Sequence, residues 1–143
     1  MRILIAILFL VIGLMLYIRL APTQTDKWHN RPSADAPGDT SEEGGFQAVR
    51  RITAPAGEVL EAMRKIALET PRTELVAGSV EEGMMTFRTR SAFWGFPDFT
   101  TVAAEGDLLV IYGRLRFGRS DMGVNKARVR DWLDRLGPLT ERR

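Results

Sequence analysis

The chain of 143 residues is 45% hydrophobic and 27% charged, the balance of one ordinary globular domain and not of a disordered segment. It has no cysteine, which excludes a disulfide framework, a thiol nucleophile, a zinc–cysteine centre and a lipid-modified cysteine anchor. The formal charge of +2 is divided: residues 22–45 carry two basic and five acidic side chains, net −3, while residues 46–143 are net +3, too weakly basic for a nucleic-acid partner, which needs many clustered cations.

Residues 3–18, ILIAILFLVIGLMLYI, hold no charge. As a helix rising about 1.5 Å per residue they reach roughly 24 Å, short of a hydrocarbon core of roughly 30 Å. Arg19 snorkelling to the interface and Tyr17 at headgroup level make up the difference. Arg2 also suits the charged start of a cleaved signal peptide, but no A-x-A site follows the apolar run, the nearest small residue being Ala21. Residues 1–21 are therefore expected to be a single-pass anchor in a bacterial inner membrane with the remaining domain on the periplasmic side. The alternative is a signal peptide and a protein secreted to the periplasm.

Residues 22–45 contain Pro22, Pro32, Pro37, Gly38, Gly44 and Gly45 among polar side chains and show no apolar period, so they are expected to form an acidic flexible linker. Trp28-His29 is the exception within it, and an aromatic packed on the domain or on the membrane interface accounts for the pair. One histidine without cysteine is not a metal site, and no metal or cofactor is expected.

A globular domain is expected over residues 46–137, followed by a tail at 138–143. Residues 46–53 alternate in part, as a first edge strand would. Pro55 opens a helix, since proline is tolerated in the first turn, and Val59, Leu60, Met63, Ile66 and Ala67 form one apolar stripe along it. Thr70-Pro71 ends that helix. Strands are predicted over 73–77, 84–91, 98–105 and 108–117, with turns at Glu81-Glu82-Gly83 and Glu105-Gly106-Asp107 and an aromatic turn, AFWGFP, at 92–97. A second helix over 125–136 has Asn125 as its N-cap, Val129, Trp132, Leu133 and Leu136 as its core stripe, and Gly137-Pro138 as its stop. Consecutive strands joined by short turns predict an α+β domain, an antiparallel sheet of four to five strands with two helices on one face.

The most distinctive spacing is RFGRSDMGVNKAR at 116–128, in which Gly118, Asp121, Gly123, Asn125 and Arg128 recur at fixed offsets after Arg116. With the earlier RSAFWGFPD at 90–98, it resembles the bacterial and plastid family called domain of unknown function 1499, over about residues 46–136. Three departures stand out. Phe99 occupies a place where many members have a second acid, Gly113 and Leu115 stand where many have serines, and an N-terminal cysteine motif is absent. The resemblance implies the domain boundary and the weight of the two motifs; it implies no activity.

Two function classes follow. Arg88 and Arg90 share one strand face, and Arg114 and Arg116 share another. If those faces coincide, the guanidiniums, with Arg119 and with Asp98 and Asp121 as neighbouring acids, make an anion-binding cluster, because arginine forks match carboxylate and phosphate geometry. The bland alternative is the solvated face of a one-sided sheet, with Gly95, Gly118, Gly123, Asn125 and Arg128 as architecture. The expected function is thus a membrane-anchored envelope module, without catalytic activity, that binds a protein, a lipid headgroup or a small anion. The other class is an enzyme using Asp98 or Asp121 as general acid or base beside the arginines.

Overall fold

The structure, a computed structural model, describes residues 1–142. Its N-terminal helix α1 (Arg2–Leu20) is followed by a single turn, α2 (Thr25–Trp28). Then come β1 (Gly38–Glu42), β2 (Gly45–Arg51), α3 (Ala56–Glu69), β3 (Thr73–Ser79), β4 (Met84–Arg90), β5 (Pro97–Glu105), β6 (Leu108–Leu115), α4 (Val124–Leu136) and a 3-10 turn at Gly137–Leu139. All six strands join one antiparallel sheet in the order β1-β2-β6-β5-β4-β3, so the α+β class holds and the strand count is one above the expected range.

The extra strand is β1, and it lies in the segment expected to be a linker. Its residues, GDTSE, are polar on both faces, so hydropathy does not reveal it; it is held as an edge strand by pairing with β2 from Gly38↔Val49 to Glu42↔Gly45. β2 is consequently not the edge. The buried ion pair of Arg50 with Asp39, at 2.6 Å, ties the two strands on the helix side. The C-terminal residues also depart from the expected tail. Thr140 bridges Ile52, and Glu141 donates its N–H to the Arg51 carbonyl at 2.9 Å.

One face of the sheet carries the main core. Val59, Leu60, Met63, Ile66 and Ala67 of α3 and Val129, Trp132 and Leu136 of α4 are buried against Phe46, Ala48, Met85, Phe87, Val102, Leu109 and Ile111. These apolar side chains fall on one stripe of each helix and at alternate positions of the strands, which is why the two helices pack on the same side. Trp132 meets Phe87 edge to face at 5.8 Å and donates its indole N–H to Thr70 Oγ1 at 2.9 Å, joining the two helices.

The opposite face is not left to solvent, as a one-sided sheet would have it. Residues 18–34 run across it. Trp28 stacks on Phe99 with ring centroids 4.3 Å apart, Ala34 packs on Val49 and Val110, and His29 reaches Thr86 Oγ1 at 2.8 Å. Phe99, Thr86, Thr101 and Val110 are fully buried beneath this strap. In α1, by contrast, only Ile18 is buried. At 19 residues α1 is long and apolar enough to cross a membrane or to be a signal sequence.

Candidate functional site: an arginine row and an aspartate chain

Strand register places the arginines. Arg88 pairs with Phe99, and Phe99 with Arg114, so both side chains lie on the strap face with Phe99 between them. Arg90 and Arg116 follow two residues on and share that face. The expected coincidence of the two arginine faces is thus present. Their partners are different from those expected.

Each arginine donates to the strap. Arg90 reaches the Ile18 carbonyl at 3.3 Å and the Arg19 carbonyl at 3.1 Å, two of the groups that a helix C-terminus leaves unsatisfied, and the Gly95 carbonyl at 2.9 Å. Arg116 donates to the Pro22 carbonyl at 3.1 Å and Arg88 to Thr23 Oγ1 at 2.8 Å and to Glu74. Arg114 donates to the Trp28 carbonyl and, at 2.8 Å, to Thr101 Oγ1, while its guanidinium lies 5.4 Å from the Trp28 ring and 4.8 Å from that of Tyr112.

Concentrating positive charge here is costly. Burial pushes the Arg114 guanidinium down to about 10. Arg88 and Arg90 are also held below the usual arginine value, by burial first and then by repulsion from neighbouring guanidiniums, including Arg116 in both cases. Tyr112, half-buried and donating its hydroxyl to Glu42, is pushed up to about 12 by that burial and by the Glu42 carboxylate, against the opposing charge of Arg114. Arg119 lies away from the row, in the β6–α4 loop, where it lines a shallow hollow with Glu43, Arg114 and Arg116.

The two aspartates do not join the arginine row. Thr89↔Asp98↔Leu115 is the adjacent row of the register, so Asp98 projects to the helix side, where it accepts from Arg128 at 3.4 Å. Arg128 also donates to Asn125 Oδ1 at 2.9 Å, and Asn125 Nδ2 donates to Asp121 Oδ2 at 2.8 Å. Asp121 further accepts the N–H of Gly123 and of Asn125. Asn125 is therefore not the N-cap. Gly123 holds that place with φ +80°, and Asn125 is a fully buried residue of the first turn whose side chain links loop to helix.

Gly113 is explained by the same chain. A Cβ there would meet Asn125 Oδ1 at 2.7 Å, closer than real Cβ contacts allow. Burial lifts the Asp98 carboxyl above its usual range despite Arg128. Burial also acts to raise Asp121, but the hydrogen bonds it accepts from Asn125 and Gly123 win and hold it below that range. A hollow of about 530 Å³ is lined in part by Arg19, Arg72 and Arg90, and another of about 500 Å³ by Asp39, Arg50 and Arg130; neither reaches Asp98 or Asp121.

The residues that the sequence motif spaces apart thus converge on one bonded chain, Asp121–Asn125–Arg128–Asp98, packed under Gly113. The match to the family described as protein of unknown function (DUF1499) extends over residues 26–136, most of the chain. The chain belongs to that family. The match begins at Asp26, inside the expected linker, and so includes Trp28 and the second half of the strap. Among solved structures the chain is similar to an uncharacterised protein from Rhizobium leguminosarum, with 14% identity, coverage of 68% of this chain and 94% of that one, and a TM-score of 0.46. No curated protein matches.

Sequence reasoning placed Trp28 on the domain or the membrane interface, and its ring does pack on the domain; it missed the rest of the strap and the partners of the arginines. Trp28 was the available signal, an aromatic isolated in a polar stretch, together with Phe99 in place of an acid: the two rings stack, and a carboxylate at 99 would be buried beneath the indole. Gly95, with φ +74°, shapes the aromatic turn and presents its carbonyl to Arg90.

Proposed function

We propose that this protein is a membrane-anchored, non-catalytic module of the cell envelope, with α1 in the inner membrane and the domain held against the periplasmic surface. The observation that carries this reading is the arginine row. Arg90, Arg116, Arg88 and Arg114 bond in succession to residues 18–19, 22, 23 and 28, fastening the segment that leaves α1 along the sheet. Signal cleavage after Ala21 would deprive Arg90 of two of its three carbonyl acceptors, which favours an anchor that is retained. Arg2 and the α-amine on the cytoplasmic side suit the charge rule for that orientation.

The enzyme reading loses support for a related reason. Asp98 has the raised pKa that a general acid needs, but it is paired with Arg128, and Asp121 is engaged at the start of α4. The arginines that would have bound an anionic substrate beside them lie on the other side of the sheet.

Extraction of bacterial membranes tests the proposal. The full chain is expected to stay in the pellet after alkaline carbonate washing, to keep residues 1–21 by intact mass, and to be digested by protease only once the outer membrane is opened. A soluble periplasmic product beginning near residue 22 would overturn it.

A further inference from the structure

The end of the sheet from which α1 departs is unlike the rest of the surface. Register brings the β4–β5 loop (residues 91–96), the β6–α4 loop (residues 116–123), the β1–β2 turn and the entry to β3 to this one end. Beyond residue 20, every large hydrophobic side chain exposed among the described residues belongs here. Phe93, Trp94 and Phe96 stand on the first loop, Met122 and Val124 at the second, and two leucines lie where α3 runs into β3. Phe93 is 68% exposed and Met122 is 93% exposed. A soluble domain rarely gathers its exposed apolar side chains in this way.

The aromatic loop is also tied to α1. Arg19 donates to the Phe93 carbonyl at 2.9 Å, Arg90 donates to the carbonyls of Gly95, Ile18 and Arg19, and Trp94 packs against Phe93 and Phe96. Basic groups surround it. Arg19, Arg72 and Arg90 line the hollow beside the loop, where Glu69 and Glu74 are the acids and Glu74 is bonded to Arg88. Arg116 and Arg119 lie by the second loop, facing Glu43.

We infer that this end of the domain is a second membrane contact, in which Phe93, Trp94 and Met122 enter the headgroup layer of an acidic phospholipid bilayer beside α1 and Arg19, Arg72 and Arg119 at its rim meet lipid phosphates. This rests on the reading of α1 as a retained anchor. Aromatic side chains favour the interface at headgroup depth, and a basic rim is attracted to anionic lipid. The geometry supplies both within the reach of a helix end that must itself lie at that depth.

The chain has no cysteine, so Phe93→Cys and, at the far end of the sheet, Glu81→Cys each create a single attachment site for a fluorophore in the full chain. Each labelled protein is reconstituted in phosphatidylcholine vesicles with and without phosphatidylglycerol. Quenching by a headgroup-borne nitroxide lipid is then read after flotation. The label at 93 is expected to be quenched severalfold more than the label at 81, and more strongly when phosphatidylglycerol is present. Trp94→Ser with Met122→Ser is expected to reduce that quenching while flotation is unchanged. Protein that floats with equal quenching at 93 and 81 overturns the second contact and leaves the anchor standing. Equal quenching at 93 in the two lipid mixtures overturns the preference for acidic lipid. Protein that fails to float overturns the anchor and this inference together.

Discussion

The chain Asp121–Asn125–Arg128–Asp98 depends on the amide at its centre. Asn125 is fully buried and uses Oδ1 to accept from Arg128 and Nδ2 to donate to Asp121, so no other uncharged side chain of its size serves both neighbours. Asn125→Ala leaves Arg128 without one partner and is expected to cost about 1–3 kcal/mol, read from urea unfolding of the full chain in detergent. Gly113→Ala should cost a similar amount, about 1–3 kcal/mol, by driving a methyl group into Asn125 Oδ1. Adding Asn125→Ala to Gly113→Ala should then cost less than the two single losses combined, because both act on one contact. Asp121 supplies a pH test. Its carboxyl titrates lower in the folded chain than in the unfolded one, so its contribution is present above the ordinary value of 3.8 and is lost as the pH falls through the lower folded value. Asp98 has the opposite sign: its raised folded value means that protonation relieves a cost, and stability declines as the pH rises through that value. Asp121→Asn is accordingly expected to flatten the acid limb of a melting-temperature profile. An unchanged limb would place the pH dependence elsewhere.

At the level of elements, the strap behaves as an added layer whose only regular structure is the end of α1 and the single turn α2. Its hold on the sheet comes from the Trp28–Phe99 stack and from carbonyl oxygens offered to arginines. Trp28→Ala removes the stack, worth about 1 kcal/mol beyond the buried area, and uncovers Phe99. Limited proteolysis is expected to cut such a variant within residues 22–35 while β2–α4 stays intact; resistance equal to the parent's would show that the strap is held without the indole. The same layer shows what sequence could and could not reveal. Elements from β2 to α4 were legible because their apolar residues repeat every two or every three to four positions. β1 was not, since an edge strand of polar residues has no buried face to mark it. The arginine face was legible from alternation in Arg88/Arg90 and Arg114/Arg116. What it binds was not, because a backbone carbonyl acceptor carries no side-chain signature. The side taken by Asp98 needed the pairing Arg88↔Phe99, and register between strands is a property of the folded sheet.

For the whole molecule, the consequence of the arginine row is mechanical. Under the proposed anchoring, a helix joined to a domain by a free linker would leave the domain to tumble over the membrane, whereas the last turn of α1 is bonded to the sheet itself. Arg90 is the joint, since its guanidinium reaches the final carbonyls of α1 and the Gly95 carbonyl of the aromatic loop together. Arg116 holds only Pro22, one step further along. Arg90→Met keeps the apolar stem and removes all three bonds. The core lies on the far face of the sheet, around Phe87 and Trp132, so the variant should remain folded, with the domain's melting little changed. What should change is the angle between helix and domain. Spin labels at Leu10→Cys in α1 and Lys126→Cys in α4, with no native cysteine to interfere, report the separation of the two bodies in reconstituted bilayers. The parent is expected to give a narrow distance distribution, Arg90→Met a broad one, and Arg116→Met one closer to the parent. An equally narrow distribution in Arg90→Met would mean that the coupling resides in the strap beyond residue 22, with Arg114 and the Trp28 stack bearing it.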